Sequence, residues 1–313
     1  MGNWNDLLNE VKEAGNVHDV VRRKYLARLH EKTGRNVIVY YSAWLQKGGI
    51  QGLPATEFYV NDTDKNAFMA TIHRLDRSKG LDLILHTPGG SIAATESLVE
   101  YLRAMFGKDV RAIVPQIALS AGTMIALSCR EVVMGRHSSL GPIDPQIGIY
   151  PAHGIIEEFN RARAEIAENP ITAAVWQPII AKYNPTLVGE AEKAIEWSTE
   201  MVREWLISGM FDAMDDAEER ATNVVREFGD HALTKSHSRH LSDERVGDIG
   251  VTVESLEKDP ELQDAILSVH HACIQTLGST AALKVVENHL GVGHITSLST
   301  LVVGNPTLAN VPS

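Results

Sequence analysis

Two short segments of this sequence carry residue types suited to acyl transfer. The first is Thr87-Pro88-Gly89-Gly90-Ser91, in which two glycines follow a proline. Glycine tolerates positive φ angles, so such a turn exposes backbone N–H groups. At a helix N-terminus, N–H groups bind an anion or a developing oxyanion. The alternative interpretation is a plain tight turn between a strand and a helix. The Pro-Gly-Gly sequence, taken alone, favours this alternative over an anion site.

The second segment is Ala118-Leu119-Ser120-Ala121-Gly122-Thr123. A serine at the start of a helix presents its hydroxyl to a cleft, and the helix N-terminus favours the developing alkoxide. The alternative is helix capping, since serine is a preferred N-cap residue. The segment is not the G-x-S-x-G elbow of α/β-hydrolases, because Ala118 replaces the first glycine. A nucleophile candidate and an amide-donor turn one βα unit apart together predict an acyl-transfer site.

The general base has no comparable motif. Lys182 follows an apolar segment, and partial burial there would lower its pKa toward the range of a base. The alternative is a surface lysine, and Lys193 is a further candidate. His237 and His240 form an H-x-x-H pair, which without additional ligands is poor evidence for a metal site, so we expect none.

A third segment, Ser138–Gln146, combines two prolines and a glycine in an irregular loop. It is suited to line a substrate groove, with Asp144 supplying a polar contact. Its alternative role is to turn the chain toward the second half of the molecule.

The scaffold for these segments is predicted to alternate strands and helices up to Pro151. β-branched and aromatic runs predict strands at Asn36–Tyr41, Leu81–Leu85, Val110–Val114 and Glu131–Met134. Helices are predicted at Asp64–Asp76, after Ser91 and at Ser120–Leu127. Such alternation indicates parallel βαβ units with right-handed crossovers, whose turns gather at the carboxyl edge of the sheet.

After Pro151 almost the whole sequence is predicted to be helical. The predicted helices are Ile155–Glu168, Thr186–Met214, Ala217–Phe228, Ser242–Ile249, Glu261–Leu277 and Thr280–Leu290. We divide the chain into N-terminal helices (1–34, with Asp6–Ala14 and His18–Lys32), a catalytic core (35–150), a helical part completing the same domain (151–290) and a loose tail (291–313). Trp197 and Trp205 in the long helix suit an oligomer interface or the core.

Composition excludes several classes of protein. Of 313 residues, 44% are hydrophobic and 22% charged, which is ordinary for a globular protein, and the net charge of −11 argues against a broad nucleic-acid surface. Cys129 and Cys273 are too few for a disulfide framework. No apolar run approaches the roughly 20 residues that span a bilayer, and no signal peptide is evident. We therefore expect a cytoplasmic protein without integral membrane segment, metal or cofactor.

Four blocks of the sequence, in order, resemble the serine dehydrogenase proteinase family, which is related to signal peptide peptidase A. They are Arg35–Leu45, Leu81–Gly90, Val114–Cys129 and Ser138–Gly148, with weaker similarity through Thr234–Val251 and Thr280–Leu290. The resemblance implies an α/β protein with the Clp/crotonase-like fold, built of stacked βαβ units with a largely helical C-terminal half. It also implies a peptidase whose nucleophile is Ser120 and whose oxyanion hole uses amides around Gly89 and Gly90.

The resemblance also bears on the base. Clp-type peptidases carry a histidine in the loop that matches Ile143–Gln146, where this chain has Asp144 instead. Signal peptide peptidase A and its relatives use a Ser-Lys dyad with the lysine in a later helix, which implies Lys182 first and Lys193 second. A family loop rich in Thr and His makes His237 the competing base. Many family members are membrane-associated, so peripheral membrane association is compatible with the resemblance.

Three functions follow as hypotheses. The leading one is a homo-oligomeric serine endopeptidase that cleaves polypeptides, with substrate contacts from Thr87, Pro88, Ser91, Ala121, Gly122 and Asp144. No Walker A motif is present, so any unfolding or regulatory step would need a separate partner. The second is a crotonase-like acyl-CoA enzyme, which requires acidic residues beside the Gly89–Gly90 turn. The third is a non-catalytic oligomeric adaptor of the same fold.

Overall fold

A seven-stranded sheet organises the computed structural model, which describes residues 18–148, 150–229 and 239–298. The strands are β1 (Asn36–Ser42), β2 (Leu81–His86), β3 (Val110–Val114), β4 (Ile117–Ala118), β5 (Glu131–Met134), β6 (Ser139–Leu140), β7 (Gln146–Ile147), β8 (Tyr150–Pro151), β9 (Leu241–Ser242), β10 (Val253–Ser255), β11 (Ala282–Asn288) and β12 (Gly293–Ser297). The order in the large sheet is β10-β5-β3-β2-β1-β11-β12. Neighbouring strands from β10 to β1 pair in parallel, whereas β11 is antiparallel to β1 and β12.

Two small sheets lie between and after these strands. β4 pairs in parallel with β6, which pairs antiparallel with β9, and β7 forms a hairpin with β8. The small three-stranded sheet therefore ties the segment after β3 to the segment after β5. This connection brings the second and third sequence segments together.

Helices cover both faces of the large sheet. They are α1 (His18–Thr33), α2 (Trp44–Lys47), α3 (Asp62–Ile72), α4 (Ile92–Phe106), α5 (Ala121–Leu127), α6 (Ala152–Glu168), α7 (Ala173–Ile180), α8 (Leu187–Ser208), α9 (Ala217–Gly229), α10 (Asp243–Ile249) and α11 (Pro260–Ser279). One core cluster joins the sheet to α3, α4, α5, α8 and α9, and a second joins it to α1 and α11. The result is the mixed α/β layering that the alternating pattern predicts.

An outer lobe projects from this framework. α6 and the start of α8 share a small core of their own around Ala152, Ile155, Leu187 and Ala191. α7 contributes the buried Trp176 to the lobe and leaves Val175 exposed. The lobe is thus packed separately from the two large clusters.

The four predicted strands of the first half are confirmed, each within one residue at either end. The predicted helix Thr280–Leu290 is wrong, because Ala282–Asn288 form strand β11. Residues Gly293–Ser297, expected in a loose tail, form β12. Lys284 and Glu287, both within that predicted helix, are buried in ion pairs. The predicted helix Asp6–Ala14 lies outside the described residues.

The described residues include no helix that is both long and apolar enough to cross a bilayer. Within the same residues no group of three or more His, Cys, Asp or Glu side chains is arranged to hold a metal ion. Cys129 and Cys273 are buried free thiols, and burial raises the pKa of each to about 12.

Candidate active site

Ser120 has an unusual backbone conformation. Its φ and ψ are 49° and −117°, and it is the only non-glycine residue with positive φ in the described part of the chain. It precedes α5, whose seven residues are all buried, yet its side chain makes no capping hydrogen bond. The capping interpretation of Ser120 is therefore wrong. Its hydroxyl is therefore available for another role, and the positive φ costs about 1–3 kcal/mol of backbone strain.

The strained turn is held by its contacts with the preceding turn. The Leu119 N–H donates to the Thr87 carbonyl at 3.0 Å, and the Thr123 hydroxyl donates to the carbonyls of Ala118 and Gly141 at 3.0 and 2.9 Å. A Cβ on Gly122 would lie 2.5 Å from the Thr87 methyl carbon. Small residues around Ser120 are thus required for the close packing of two turns.

Gly89 lies directly against the candidate nucleophile. Its φ is 102°, and a Cβ there would approach the Ser120 Cβ to 2.7 Å. The Gly89 N–H donates to the Thr87 hydroxyl at 3.2 Å. Gly89 is therefore needed for close approach, while its own amide is already engaged.

Gly90 offers the free amide of this turn. Val60 donates its N–H to the Gly89 carbonyl at 2.8 Å and accepts the Ser91 N–H at 2.9 Å. In a trans peptide the C=O and the following N–H point in opposite directions, so the Gly90 N–H points away from Val60. Among the described residues, none accepts a hydrogen bond from it. This is the arrangement of an oxyanion donor.

Ala121 supplies a second amide at the same place. It is the first residue of α5, and the first N–H groups of a helix have no partner within the helix. A Cβ built on Gly89 would lie 3.0 Å from the Ala121 nitrogen, which shows how closely the two turns meet. The Ala121 nitrogen and the Gly89–Gly90 turn therefore lie close together next to Ser120.

A cleft of about 420 Å³ opens in front of these groups. Its lining residues carry no formal charge; they are Tyr59, Pro88, Gly90, Ser91, Ile92, Ala93, Ser120, Met124, Ile143, Pro145, Gln146, Gly148 and Trp197. Apolar side chains form much of its wall. Trp197 comes from α8 and donates its indole N–H to Glu96 at 3.2 Å. A cleft of this kind accommodates uncharged, largely apolar groups.

The third sequence segment forms one wall of the cleft. Ile143 and Pro145 line it, and Asp144 between them is fully buried. The Ile143 N–H donates to the Phe228 carbonyl at 3.0 Å, and Leu140 pairs with Leu241. The wall is therefore attached to the residues on both sides of segment 230–238.

The structure brings some predicted site residues together and separates others. Ser120, Pro88, Gly90 and Ser91 line one cleft, while Thr87, Gly89, Ala121, Gly122 and Asp144 are buried or half-buried immediately around it. Lys182 and Lys193 are exposed and do not line the cleft. The expected partial burial of Lys182 is not found. His237 lies outside the described residues.

The placement of the two lysines follows from the outer lobe. Lys182 follows α7, and its neighbour Tyr183 packs on Phe159 with ring centroids 5.6 Å apart. Lys193 lies on α8 one turn before Trp197, so both project from the same face of the helix.

Behind the Gly89–Gly90 turn lies a buried cluster of rings. The His86 ring packs against Trp44 in a tilted arrangement with centroids 4.4 Å apart, and its centroid lies 5.2 Å from that of Tyr41. Neither ring nitrogen of His86 has a hydrogen-bond partner among the described residues, and burial lowers its pKa to about 3. The Tyr41 hydroxyl lies 3.0 Å from Nδ1 of His270, whose pKa burial also lowers. This cluster is neutral at physiological pH.

Comparison with known proteins gives one family match. The model of the family described as ClpP-like SDH-type serine proteinase matches residues 10–263, most of the chain. The uncharacterized protein MJ0137 of Methanocaldococcus jannaschii is 33% identical over 150 residues, which is 48% of this chain and 51% of that relative. The uncharacterized protein MJ1495 of the same organism is 28% identical over 229 residues, 70% of each chain. The chain thus spans about half the length of the first relative.

Proposed function

This chain belongs to the ClpP-like SDH-type serine proteinase family, and from that premise we propose that it is a serine endopeptidase with Ser120 as nucleophile. The observation that carries the proposal is the conformation of Ser120. A serine with positive φ, at a helix start that it does not cap, faces a cleft beside the free amide of Gly90. Strained backbone of this kind persists at active sites because the surrounding structure holds it.

The proposed reaction uses these groups in order. Ser120 Oγ attacks the carbonyl carbon of a peptide bond and its proton passes to a general base. The N–H groups of Gly90 and Ala121 donate to the oxyanion of the tetrahedral intermediate, an interaction worth roughly 3–4 kcal/mol per donor. The C–N bond then breaks, and the leaving amine takes the proton from the base. Water hydrolyses the resulting ester by the reverse sequence.

The cleft supports a substrate in extended conformation. Val60 covers one edge of the Gly89–Ser91 segment, so the Gly90 N–H and C=O face the other side. A substrate strand pairing along that free edge would place its scissile carbonyl next to Ser120. Ile92, Met124 and Ile143 favour an apolar side chain at the cleavage site.

The base is proposed from three residues that the sequence nominated. A lysine acts as a base only when burial favours loss of its proton, and Lys182 and Lys193 are both exposed. A histidine needs no such burial near neutral pH. The residues flanking segment 230–238 hydrogen-bond or pair with the cleft wall, which supports testing His237 first and the two lysines after it.

Assembly and location extend the proposal. We propose a homo-oligomer with the crotonase-like stacking of βαβ units, acting in the cytoplasm or at the periphery of a membrane, with a separate unfolding or regulatory partner where the substrate is folded.

Two other functions are tested together with the peptidase. An acyl-CoA enzyme of this fold needs acidic groups beside the oxyanion turn, and no acidic side chain lines the described cleft. A non-catalytic adaptor needs no reactive serine.

The test is covalent labelling with a fluorophosphonate, followed by intact-mass measurement of the wild type and of Ser120→Ala. We expect one adduct on the wild type, none on the variant, and Ser120-dependent cleavage of an unstructured apolar peptide. Ser97→Ala on α4 is the matched control and keeps the adduct. A folded wild type that neither reacts nor cleaves, under conditions that preserve its oligomer, would contradict the proposal and favour the adaptor.

The base is assigned by a second set of variants, His237→Ala, Lys182→Ala and Lys193→Ala. Loss of the true base lowers kcat by a factor close to that of Ser120→Ala, since nucleophile and base act as one unit. The other two variants keep most of the activity. Calorimetric titration with an acyl-CoA completes the comparison, because a peptidase shows no binding.

A further inference from the structure

A buried ion pair lies next to the oxyanion turn and takes no part in the proposed chemistry. Lys284 Nζ is 3.0 Å from both carboxylate oxygens of Asp64, and the side chains are 3% and 5% exposed. The desolvation of two charges largely offsets their attraction, so stability alone is a weak reason for such a pair. Lys284 lies on β11, beyond the residues that the family model matches. A role for the pair is therefore to be sought in its contacts with the residues around the turn.

One chain of contacts runs from the pair through side chains. The Tyr40 hydroxyl donates to Asp64 Oδ2 at 2.8 Å, and the Thr87 side chain lies next to the Tyr40 phenol. Burial and the Asp64 charge hold the pKa of Tyr40 well above its usual value, so the phenol stays a donor. The Thr87 hydroxyl in turn accepts the Gly89 N–H. This path reaches the peptide group that precedes the free amide.

A second chain of contacts runs through the backbone. Lys284 Nζ also donates to the Tyr59 carbonyl at 2.5 Å, and the Asn61 N–H donates to Asp64 Oδ2 at 3.0 Å. Val60, between these two anchored residues, donates to the Gly89 carbonyl and accepts the Ser91 N–H. The ion pair thus holds residues 59–61 on both sides of the residue that pairs with the turn.

The two paths act on adjacent peptide planes: the side-chain path reaches the Pro88–Gly89 peptide, and the backbone path reaches the Gly89–Gly90 peptide. The Gly89 carbonyl and the Gly90 N–H belong to one trans peptide, so the bond from Val60 to that carbonyl determines where the N–H points. Glycines on both sides leave this peptide free to rotate when the bond is lost. The direction of the oxyanion donor therefore depends on Val60, and Val60 depends on the ion pair.

We propose that Lys284 and Asp64 are positioning residues that hold the Gly90 amide in the direction needed to stabilise the oxyanion. The inference rests on the proposed function, because it gives the ion pair a purpose in that reaction. Neither residue touches the substrate. Their effect is expected mainly on kcat, because neither Lys284 nor Asp64 lines the cleft that binds the substrate.

The test variant is Lys284→Met combined with Asp64→Asn, which removes both charges and leaves no unpaired charge in the core. We expect kcat for peptide cleavage to fall by about 10- to 100-fold, below the loss for removing an oxyanion donor outright, with KM within twofold. The matched control is Arg22→Met with Glu287→Gln, which removes the other buried ion pair of β11, whose atoms are 2.5 Å apart. That control keeps the wild-type kcat.

A second measurement does not depend on activity. In protein labelled with ¹⁵N-valine, exchange of the Val60 amide with solvent should become at least tenfold faster in the test variant than in the wild type and the control. Wild-type kcat and unchanged Val60 exchange in a folded test variant would overturn the inference. If the wild type has no Ser120-dependent activity, the proposed function fails, and the Val60 measurement alone decides whether the ion pair holds the turn.

Tyr40→Phe keeps the inference testable when the double variant does not fold. It removes only the hydroxyl that joins Asp64 to Thr87. We expect a fall in kcat of about five- to tenfold with KM unchanged. A folded Tyr40→Phe protein with wild-type kcat would contradict the side-chain path.

Discussion

Ser91 and Ser120 occupy the same position in two neighbouring turns, immediately before a helix, but they differ in what their side chains do. Ser91 has a φ of −67°, and its hydroxyl accepts the Ala94 N–H at 3.3 Å, as an N-cap should. Ser120 has a φ of 49° and caps nothing. One serine stabilises its helix, and the hydroxyl of the other has no hydrogen-bond partner among the described residues and lies at the edge of a cleft.

The difference shows that the preference of serine for capping a helix does not determine the conformation of Ser120. An N-cap contributes about 1 kcal/mol, and a positive φ costs a further 1–3 kcal/mol at a residue with a side chain. Ser120 lacks the capping hydrogen bond and also has the strained positive φ. The surrounding structure holds this conformation, because the turn is packed between Gly89 and Gly141, and residues 119–121 approach both glycines closely. Sequence alone shows two equivalent serines, whereas the backbone distinguishes them.

The largest effect is expected from Ser120→Ala. Activity should fall at least about 10⁴-fold, because the nucleophile is removed. The free energy of unfolding should change little, since no cap is lost. Rates of peptide cleavage and urea unfolding measure the two quantities.

Ser120→Gly sharpens this result. Glycine accepts positive φ without strain, so the variant should be inactive yet more stable than the wild type by about 1 kcal/mol. If Ser120→Gly is instead less stable than the wild type, as expected for loss of an N-cap, then Ser120 stabilises α5 in solution. The contrast with Ser91 would then break down.

The next largest effect is expected from Gly90→Ala. A Cβ there would lie 2.3 Å from the nitrogen and oxygen of Val60, so the bridge that holds the turn must open. We expect kcat to fall by about 10²- to 10³-fold, as for loss of an oxyanion donor. Gly189→Ala is the control, because Gly189 lies within α8 with nothing within 4 Å of an added Cβ. That variant should keep its activity and gain about 0.5–1 kcal/mol of stability.

His86, directly before the first turn, provides a pH-dependent test. Burial lowers its pKa from 6.5 to about 3, so below pH 6.5 the unfolded chain binds a proton that the folded chain does not. Stability is therefore lost as the pH falls from 6.5 toward 3, and the loss from this residue is roughly 2–3 kcal/mol at pH 4.5.

His86→Phe should remove that part of the acid destabilisation. Urea midpoints at pH 7 and pH 4.5 for wild type and variant give the difference. The exposed His73→Gln is the control and should lose stability in acid as the wild type does. Equal acid sensitivity of His86→Phe and wild type would show that the imidazole is accessible to protons in the folded state.

The smallest effect is expected from Ser91→Ala. Loss of the cap on α4 should lower the free energy of unfolding by about 1 kcal/mol. The protein should still react with a fluorophosphonate, in contrast to Ser120→Ala. If Ser91→Ala is as stable as the wild type, Ser91 does not stabilise α4 by capping it, and the contrast with Ser120 is lost.

Much of the framework could be predicted from sequence. Strands β1, β2, β3 and β5 are short β-branched runs bounded by turns, and their burial within a parallel sheet matches that composition. The prediction that the segments containing Gly90 and Ser120 meet at one edge is also confirmed by their shared cleft. Local pattern sufficed because the βαβ topology leaves few arrangements for such turns.

The rest depended on long-range contacts that no local pattern reveals. Lys284 and Glu287 in β11 look like the polar face of a helix, and only their distant partners on α3 and α1 make a buried strand possible. The core alternative for Trp197 is wrong, because its side chain is 40% exposed and lines the cleft. Val60 carries no chemical signature at all, because its contribution is made by its backbone.

The position of Lys284 after every residue that lines the cleft has a consequence for biosynthesis. A ribosome completes β1, β2 and both turns, with Ser120 and the two glycines, before it reaches β11. A nascent or truncated chain that ends before Ala282 therefore has the residues of the cleft without the lysine that anchors Tyr59. If Lys284 holds the Gly89–Gly90 turn as proposed, that turn becomes ordered only after β11 has been translated, and a proteolytic cut between α11 and β11 would lower the proposed activity without removing any residue that lines the cleft.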